Sequence, residues 1–111
     1  MTNKVFHHKL VRDKIPEHIK ANGGEYEVRV MEEEEFEEEL RKKLIEEAKE
    51  LAETDKEGLA NEMADVLELL KSLAGFYKID FSLVEKEQSE KKEKRGGFEK
   101  RLFLVWSSPQ T

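Results

Sequence analysis

The sequence predicts a mainly α-helical protein: an antiparallel helical bundle with short accessory β-strands, assembled as an oligomer. Three observations lead there. Apolar residues recur at helical spacing from about Glu32 to Glu53 and again from about Glu57 to Tyr77, the periodicity of helices that bury one side. Only a few residues separate the two segments, and short connections make neighbouring helices antiparallel. The later segment carries Leu59, Met63, Val66, Leu67, Leu70 and Leu73, and is apolar around well over half its circumference. A helix of that kind is covered on several sides. In a chain of 111 residues other subunits are the expected cover, because small domains have little core of their own.

Each element has its own signal. Val5 to Val11 is a short extended candidate. Asp13 is placed to cap a brief helix with Pro16 in its first turn, and Asn22-Gly23-Gly24 ends it. Tyr26 to Val30 alternates polar and apolar residues, as a half-buried strand does. The long helix from Glu32 to Glu53 opens on Glu32 to Glu35, which complements the positive end of the helix dipole. The run Glu32 to Glu39 reads as a solvated, salt-bridged face. Thr54-x-x-Glu57 matches a capping box and makes the connection to the Glu57–Tyr77 helix tight. Ser82-x-x-Glu85 is a second such match, opening a polar helix to about Lys94 that Gly96-Gly97 stops. Phe98 to Trp106 reads as a strand. The chain shows no internal repeat and no dividing linker, so residues 1–111 are expected to form one domain.

Composition narrows the partners. Charged residues make up 41%, against about 25% in ordinary globular domains. The net charge is −6, which argues against a nucleic-acid polymer as partner, since that needs a basic face. There is no cysteine, hence no disulfide and no thiolate metal site. The absence of an apolar leader-like stretch and of any long apolar run predicts a soluble, cytoplasmic protein with no membrane partner.

Two acidic clusters carry the chemistry. They are Glu46-Glu47-x-x-Glu50 and Glu62-x-x-Asp65. At about 100° per residue, Glu47 points between Phe36 and Leu40, inside the apolar stripe that continues through Leu44, Ala48 and Leu51. Glu62 points between Leu69 and Leu73, beside Val66. Glu50 and Asp65 lie one turn further on at the edges of those stripes. Residues three apart are neighbours on a helix, so each helix offers two carboxylates to the same side. Buried charges are paired or bind metal. An all-oxygen set without histidine or cysteine suits a hard cation such as Mg²⁺, with Mn²⁺ as a possible substitute. A di-iron centre would use Glu-x-x-His pairs, which these clusters lack.

Lys43-Leu44-x-Glu46-Glu47-x-x-Glu50-Leu51 followed by Glu62-x-x-Asp65-Val66-Leu67-Glu68 resembles the MazG-like, all-α nucleoside triphosphate pyrophosphohydrolases, whose signature is EExxE followed by ExxD. Lys9-Leu10-Val11-Arg12-Asp13-Lys14-Ile15-Pro16-Glu17 looks like the opening of a subgroup described as phosphoribosyl-ATP pyrophosphohydrolase-like. Lys91, Arg95 and Gly96-Gly97-Phe98 look like its closing motif. The likeness spans Lys9 to about Leu104. It departs from the family pattern in the short gap between the acidic motifs, with 11 residues between Glu50 and Glu62.

The resemblance implies a four-helix bundle, as homodimer or homotetramer, that cleaves a nucleoside triphosphate between the α and β phosphates, in a nucleotide-pool role. Glu47, Glu50, Glu62 and Asp65 would hold Mg²⁺, and Glu46 or one of the ligands, Glu47 among them, would orient the attacking water or take its proton. Lys9, Arg12, Lys14, Lys91 and Arg95 are the substrate-binding candidates. Arg12 can instead pair with Asp13 or Glu17. Lys91 and Arg95 can equally complement a helix C-terminus. Phe98 can stack on a base, but the core is its expected place. His7, His8 and His18 are expected on the surface. Two alternatives stand beside this one: hydrolysis of phosphoribosyl-ATP in histidine synthesis, and a non-catalytic helical oligomer that binds nucleotide or protein.

Overall fold

The computed structural model describes residues 3–110. Four α-helices follow one another: α1 (Ile15–Ala21), α2 (Glu33–Glu53), α3 (Leu59–Phe76) and α4 (Phe81–Arg95), with a 3₁₀ turn at Lys56–Gly58 between α2 and α3. The chain divides into two compact units, one ending at Lys78 and the other beginning at Ile79.

In the first unit α2 and α3 pack as an antiparallel hairpin. Phe36 near the start of α2 meets Phe76 at the end of α3, edge to face with ring centroids 5.7 Å apart. The Tyr77 hydroxyl donates to the Glu37 carboxylate. Arg41 joins the same knot, donating from Nε to Glu37 Oε1 at 3.2 Å and from Nη2 to the Tyr77 hydroxyl at 3.3 Å. Glu47, further along α2, lies opposite Glu62 and Asp65 near the start of α3. Leu40 and Ala74 are the buried side chains of this seam, at 3% and 7% exposure.

The helix ends follow local rules, with caps displaced from the expected ones. Thr54 is the C-cap of α2. Asp55, not Thr54, starts the next turn, its Oδ1 accepting from Gly58 N at 3.0 Å. Asp80, not Ser82, caps α4, accepting from Ser82 N at 3.0 Å and Ser82 Oγ at 2.8 Å. In each case a neighbouring aspartate, one residue after Thr54 or two before Ser82, wins the position, as its short carboxylate suits it to do. Lys14, without a side-chain hydrogen bond, takes the N-cap of α1 expected of Asp13. Gly96 ends α4 at φ 81, a left-handed conformation that glycine adopts freely.

The acidic run is salt-bridged as expected. Glu35 receives both forks of Arg29 at 2.6 and 2.7 Å, Glu37 pairs with Arg41, and Glu39 lies 3.5 Å from Lys42.

The three expected strands do not form: no β-ladder is present among the described residues. A strand pair is stable only with further strands or an apolar face to cover it. Val28 and Val30 are 56% and 97% exposed, and Leu102 to Trp106 are 78–89% exposed, so alternation and apolarity alone found no partner. Phe98 is likewise on the surface, at 96% exposure, rather than in a core. No helix among the described residues is long and apolar enough to cross a membrane.

Leu40 is the most buried side chain of the hairpin. Leu40→Ala is expected to cost about 2–5 kcal/mol, the usual range for emptying a packed leucine site, read as a shift of the urea midpoint. A loss well under 1 kcal/mol would mean that the seam relaxes around the deletion.

Candidate metal centre

The hairpin brings three carboxylates together. One oxygen each from Glu47, Glu62 and Asp65 lies within 4.8 Å of the others. All three side chains are half-buried. The antiparallel register is responsible: an acidic pair late in α2 meets an acidic pair early in α3. Glu50 lies outside this close set, although its carboxylate is near enough to act on Glu47. Glu46 is exposed on α2.

The electrostatics of the cluster are unbalanced. Burial pushes the Glu47 carboxyl above the ordinary glutamate range, the neighbouring Glu50 and Asp65 carboxylates push the same way, and the Lys43 ammonium pulls back. Lys43 Nζ stands 3.7 Å from Glu47 Oε1, too far for a good hydrogen bond. Arg12 reaches in from upstream of α1 and donates from Nη2 to Asp65 Oδ1 at 2.8 Å. Even so, Glu47 Oε2 and Glu62 Oε2 are buried with no hydrogen-bond partner. A buried, unpaired carboxylate oxygen carries a full desolvation cost.

These residues fit a divalent cation. All donors are carboxylate oxygens, which hard cations prefer, and two of these residues, Glu47 and Glu62, each carry a buried oxygen that no donor satisfies. The expected ligands Glu47, Glu62 and Asp65 thus converge, with Glu50 at the rim.

The other candidates are placed as follows. Arg12 is at the centre, paired with Asp65 rather than with Asp13 or Glu17. Lys9 is exposed, and Lys14 is the N-cap of α1. Lys91 and Arg95, in the second unit, line a groove together with Val84, Gln88, Gly96 and Phe98. His7, His8 and His18 are exposed, and the His8 ring stacks on Phe6. The Glu37–Arg41–Tyr77 knot was not foreseen. Its signal is the i,i+4 spacing of Glu37 and Arg41, but nothing local joins them to Tyr77.

No family model, no curated protein and no solved structure matches this chain.

The raised pKa of Glu47 has a signed consequence. A carboxyl that ionises less readily in the folded state favours folding below its unfolded pKa and loses that advantage as pH rises through the folded value. Glu47→Gln is therefore expected to raise the melting temperature of the metal-free protein at pH 7. The gain should shrink to nothing as pH falls through the carboxylate range. An equal gain at pH 3 and pH 7 would mean that ionisation of Glu47 is not the source.

Proposed function

We propose that the protein is a Mg²⁺-dependent nucleoside triphosphate pyrophosphohydrolase, yielding a nucleoside monophosphate and pyrophosphate, with Mn²⁺ as a possible substitute ion. The observation that carries this reading is the convergence of Glu47, Glu62 and Asp65 with two buried, unpartnered carboxylate oxygens. The motif resemblance supplies the reaction class, since carboxylate clusters alone serve many hydrolases.

Glu47, Glu62 and Asp65 would hold the ion, with Glu50 beside them. When bound, Mg²⁺ neutralises phosphate charge and makes water a better nucleophile. Water adds to phosphorus, the α–β anhydride bond breaks, and its electrons leave with pyrophosphate. The water proton passes to a carboxylate of α2, with Glu46 and Glu47 the candidates. Lys9, Arg12 and Lys14 in the first unit, and separately Lys91 and Arg95 in the second, are the cations proposed as phosphate ligands, since guanidinium and ammonium groups bind phosphate oxygens through charge-assisted hydrogen bonds. A nucleotide-pool role is preferred to a biosynthetic one because the opening segment resembles a subgroup named for its similarity to phosphoribosyl-ATP pyrophosphohydrolases rather than for that substrate, and a cytoplasmic location fits a nucleotide substrate.

The proposed enzyme works as a homodimer or homotetramer. Met63, Leu67, Leu70 and Leu59 of α3 are 57%, 43%, 39% and 38% exposed. Contiguous apolar residues of this kind on a helix face favour covering by another subunit. Leu67→Glu is expected to shift the sedimenting species to the monomer. A wild-type protein that already sediments as a monomer at micromolar concentration would remove the oligomer from the account.

The reaction is tested by pyrophosphate release from a panel of ribo- and deoxyribonucleoside triphosphates, with Mg²⁺ and with EDTA. Mg²⁺-dependent pyrophosphate without orthophosphate is expected. Glu62→Gln should lose at least about 10–100-fold in activity, as disturbed metal sites do, with the far-ultraviolet circular dichroism unchanged. Full activity in Glu62→Gln would contradict the site. Silence across the panel, with Mg²⁺ still raising the melting temperature, would point to phosphoribosyl-ATP. Silence with no metal effect would favour the non-catalytic oligomer.

A further inference from the structure

We infer that Arg12 is a metal-displaced latch: its guanidinium neutralises Asp65 while the site holds no divalent ion, and is released by the ion to bind the phosphates of the substrate. The inference rests on the reading of Glu47, Glu62 and Asp65 as a metal centre.

Four observations carry it. First, Arg12 bonds to one of the three converging carboxylates: Nη2 donates to Asp65 Oδ1 at 2.8 Å. A cation of the chain itself thus already holds one of the three converging residues. Second, that bond is the one polar contact of the Arg12 side chain among the described residues, and the side chain is 59% exposed. A guanidinium has five N–H donors, so most of its donor capacity faces outward. Third, the backbone that carries the side chain is anchored independently of the Asp65 bond. Residues 3–12 form no helix or strand, yet the Arg12 carbonyl accepts from Ile15 N at 3.1 Å at the start of α1. Leu10, Val11 and Ile15 are half-buried. The backbone is thereby anchored close to the site, while the guanidinium is held there by a single bond. Fourth, Arg12 and Lys43 do not satisfy the cluster, because Glu47 Oε2 and Glu62 Oε2 stay buried and unpartnered.

The competition follows from charge. A guanidinium and a divalent ion on the same carboxylate repel each other at close range. The ion gains ligands from all three carboxylates, whereas Arg12 has a hold on one. Before the ion arrives, the carboxylates of the cluster outnumber its two side-chain cations, and the net negative site repels a triphosphate. The ion reverses that balance and frees a planar, bidentate phosphate donor. Metal and substrate are then bound in order, with Arg12 passing from the site's own carboxylate to the incoming phosphate.

The test uses the nucleotide-free protein and two probes. Mn²⁺ alone is titrated into wild type, Arg12→Gln and Glu62→Gln, with free Mn²⁺ read by electron paramagnetic resonance. Inorganic triphosphate is then titrated into wild type and Arg12→Gln in saturating Mg²⁺ by calorimetry. Arg12→Gln is expected to bind Mn²⁺ about two- to fivefold more tightly, the change that loss of a competing exposed ion pair confers, and to bind triphosphate more weakly. A merely structural role for Arg12 would weaken both. Unchanged or weaker Mn²⁺ binding in Arg12→Gln overturns the latch, while a loss of Mn²⁺ binding in Glu62→Gln leaves the metal centre standing. Wild-type Mn²⁺ affinity in Glu62→Gln overturns the metal centre, and the latch with it. Tighter Mn²⁺ binding with unchanged triphosphate affinity overturns the delivery to phosphate.

Discussion

The register between α2 and α3 is the constraint on which the rest of this structure depends. Phe36 against Phe76 and the Glu37–Arg41–Tyr77 knot pin one end of the hairpin. Two helices locked at one end, antiparallel and rigid, have their other end determined. That is where Glu47 meets Glu62 and Asp65. A shift of one turn would put Glu47 against different residues of α3 and leave no cluster. The aromatic and polar contacts at one end thus hold in place an arrangement at the other that repels itself.

The repulsion is what makes the cluster informative. An apolar seam with isosteric hydrophobic side chains in place of buried charges is commonly as stable or more so. Here the chain instead keeps carboxylates in the apolar sectors of both helices, and its own cations cover them incompletely. Lys43 approaches Glu47 without a good hydrogen bond, and Arg12 holds Asp65 alone. Local conflicts that a fold carries without internal compensation are expected where function needs them. A hard divalent ion would resolve this one, which is why the proposed function is built on it.

Much of this was legible in the residues, for definite reasons. The long period-3.6 segments gave α2 to within one residue at its start, because a 21-residue amphipathic stretch leaves little room for another reading. The helical wheel placed Glu47 and Glu62 inward, since that argument needs only local geometry. The caps were misread by one or two residues: Thr54-x-x-Glu57 and Ser82-x-x-Glu85 match a pattern, but Asp55, one residue after Thr54, and Asp80, two before Ser82, are as good at the position. The strands were misread because alternation in Tyr26–Val30 reports a tendency, while a ladder needs a partner. The partner of Arg12 lies 53 residues away in sequence. No local rule reaches that far, and Asp13 and Glu17 were the nearer choices.

The central claim is that the hairpin seam holds a divalent cation between Glu47, Glu62 and Asp65. Anomalous scattering from crystals grown with Mn²⁺ tests it most directly. The account predicts a strong anomalous peak within about 2–2.5 Å of oxygens from those three side chains, the range of metal–carboxylate bonds, with Arg12 no longer on Asp65. An ordered triad with no peak, or a Mn²⁺ ion bound only elsewhere on the acidic surface, would contradict it.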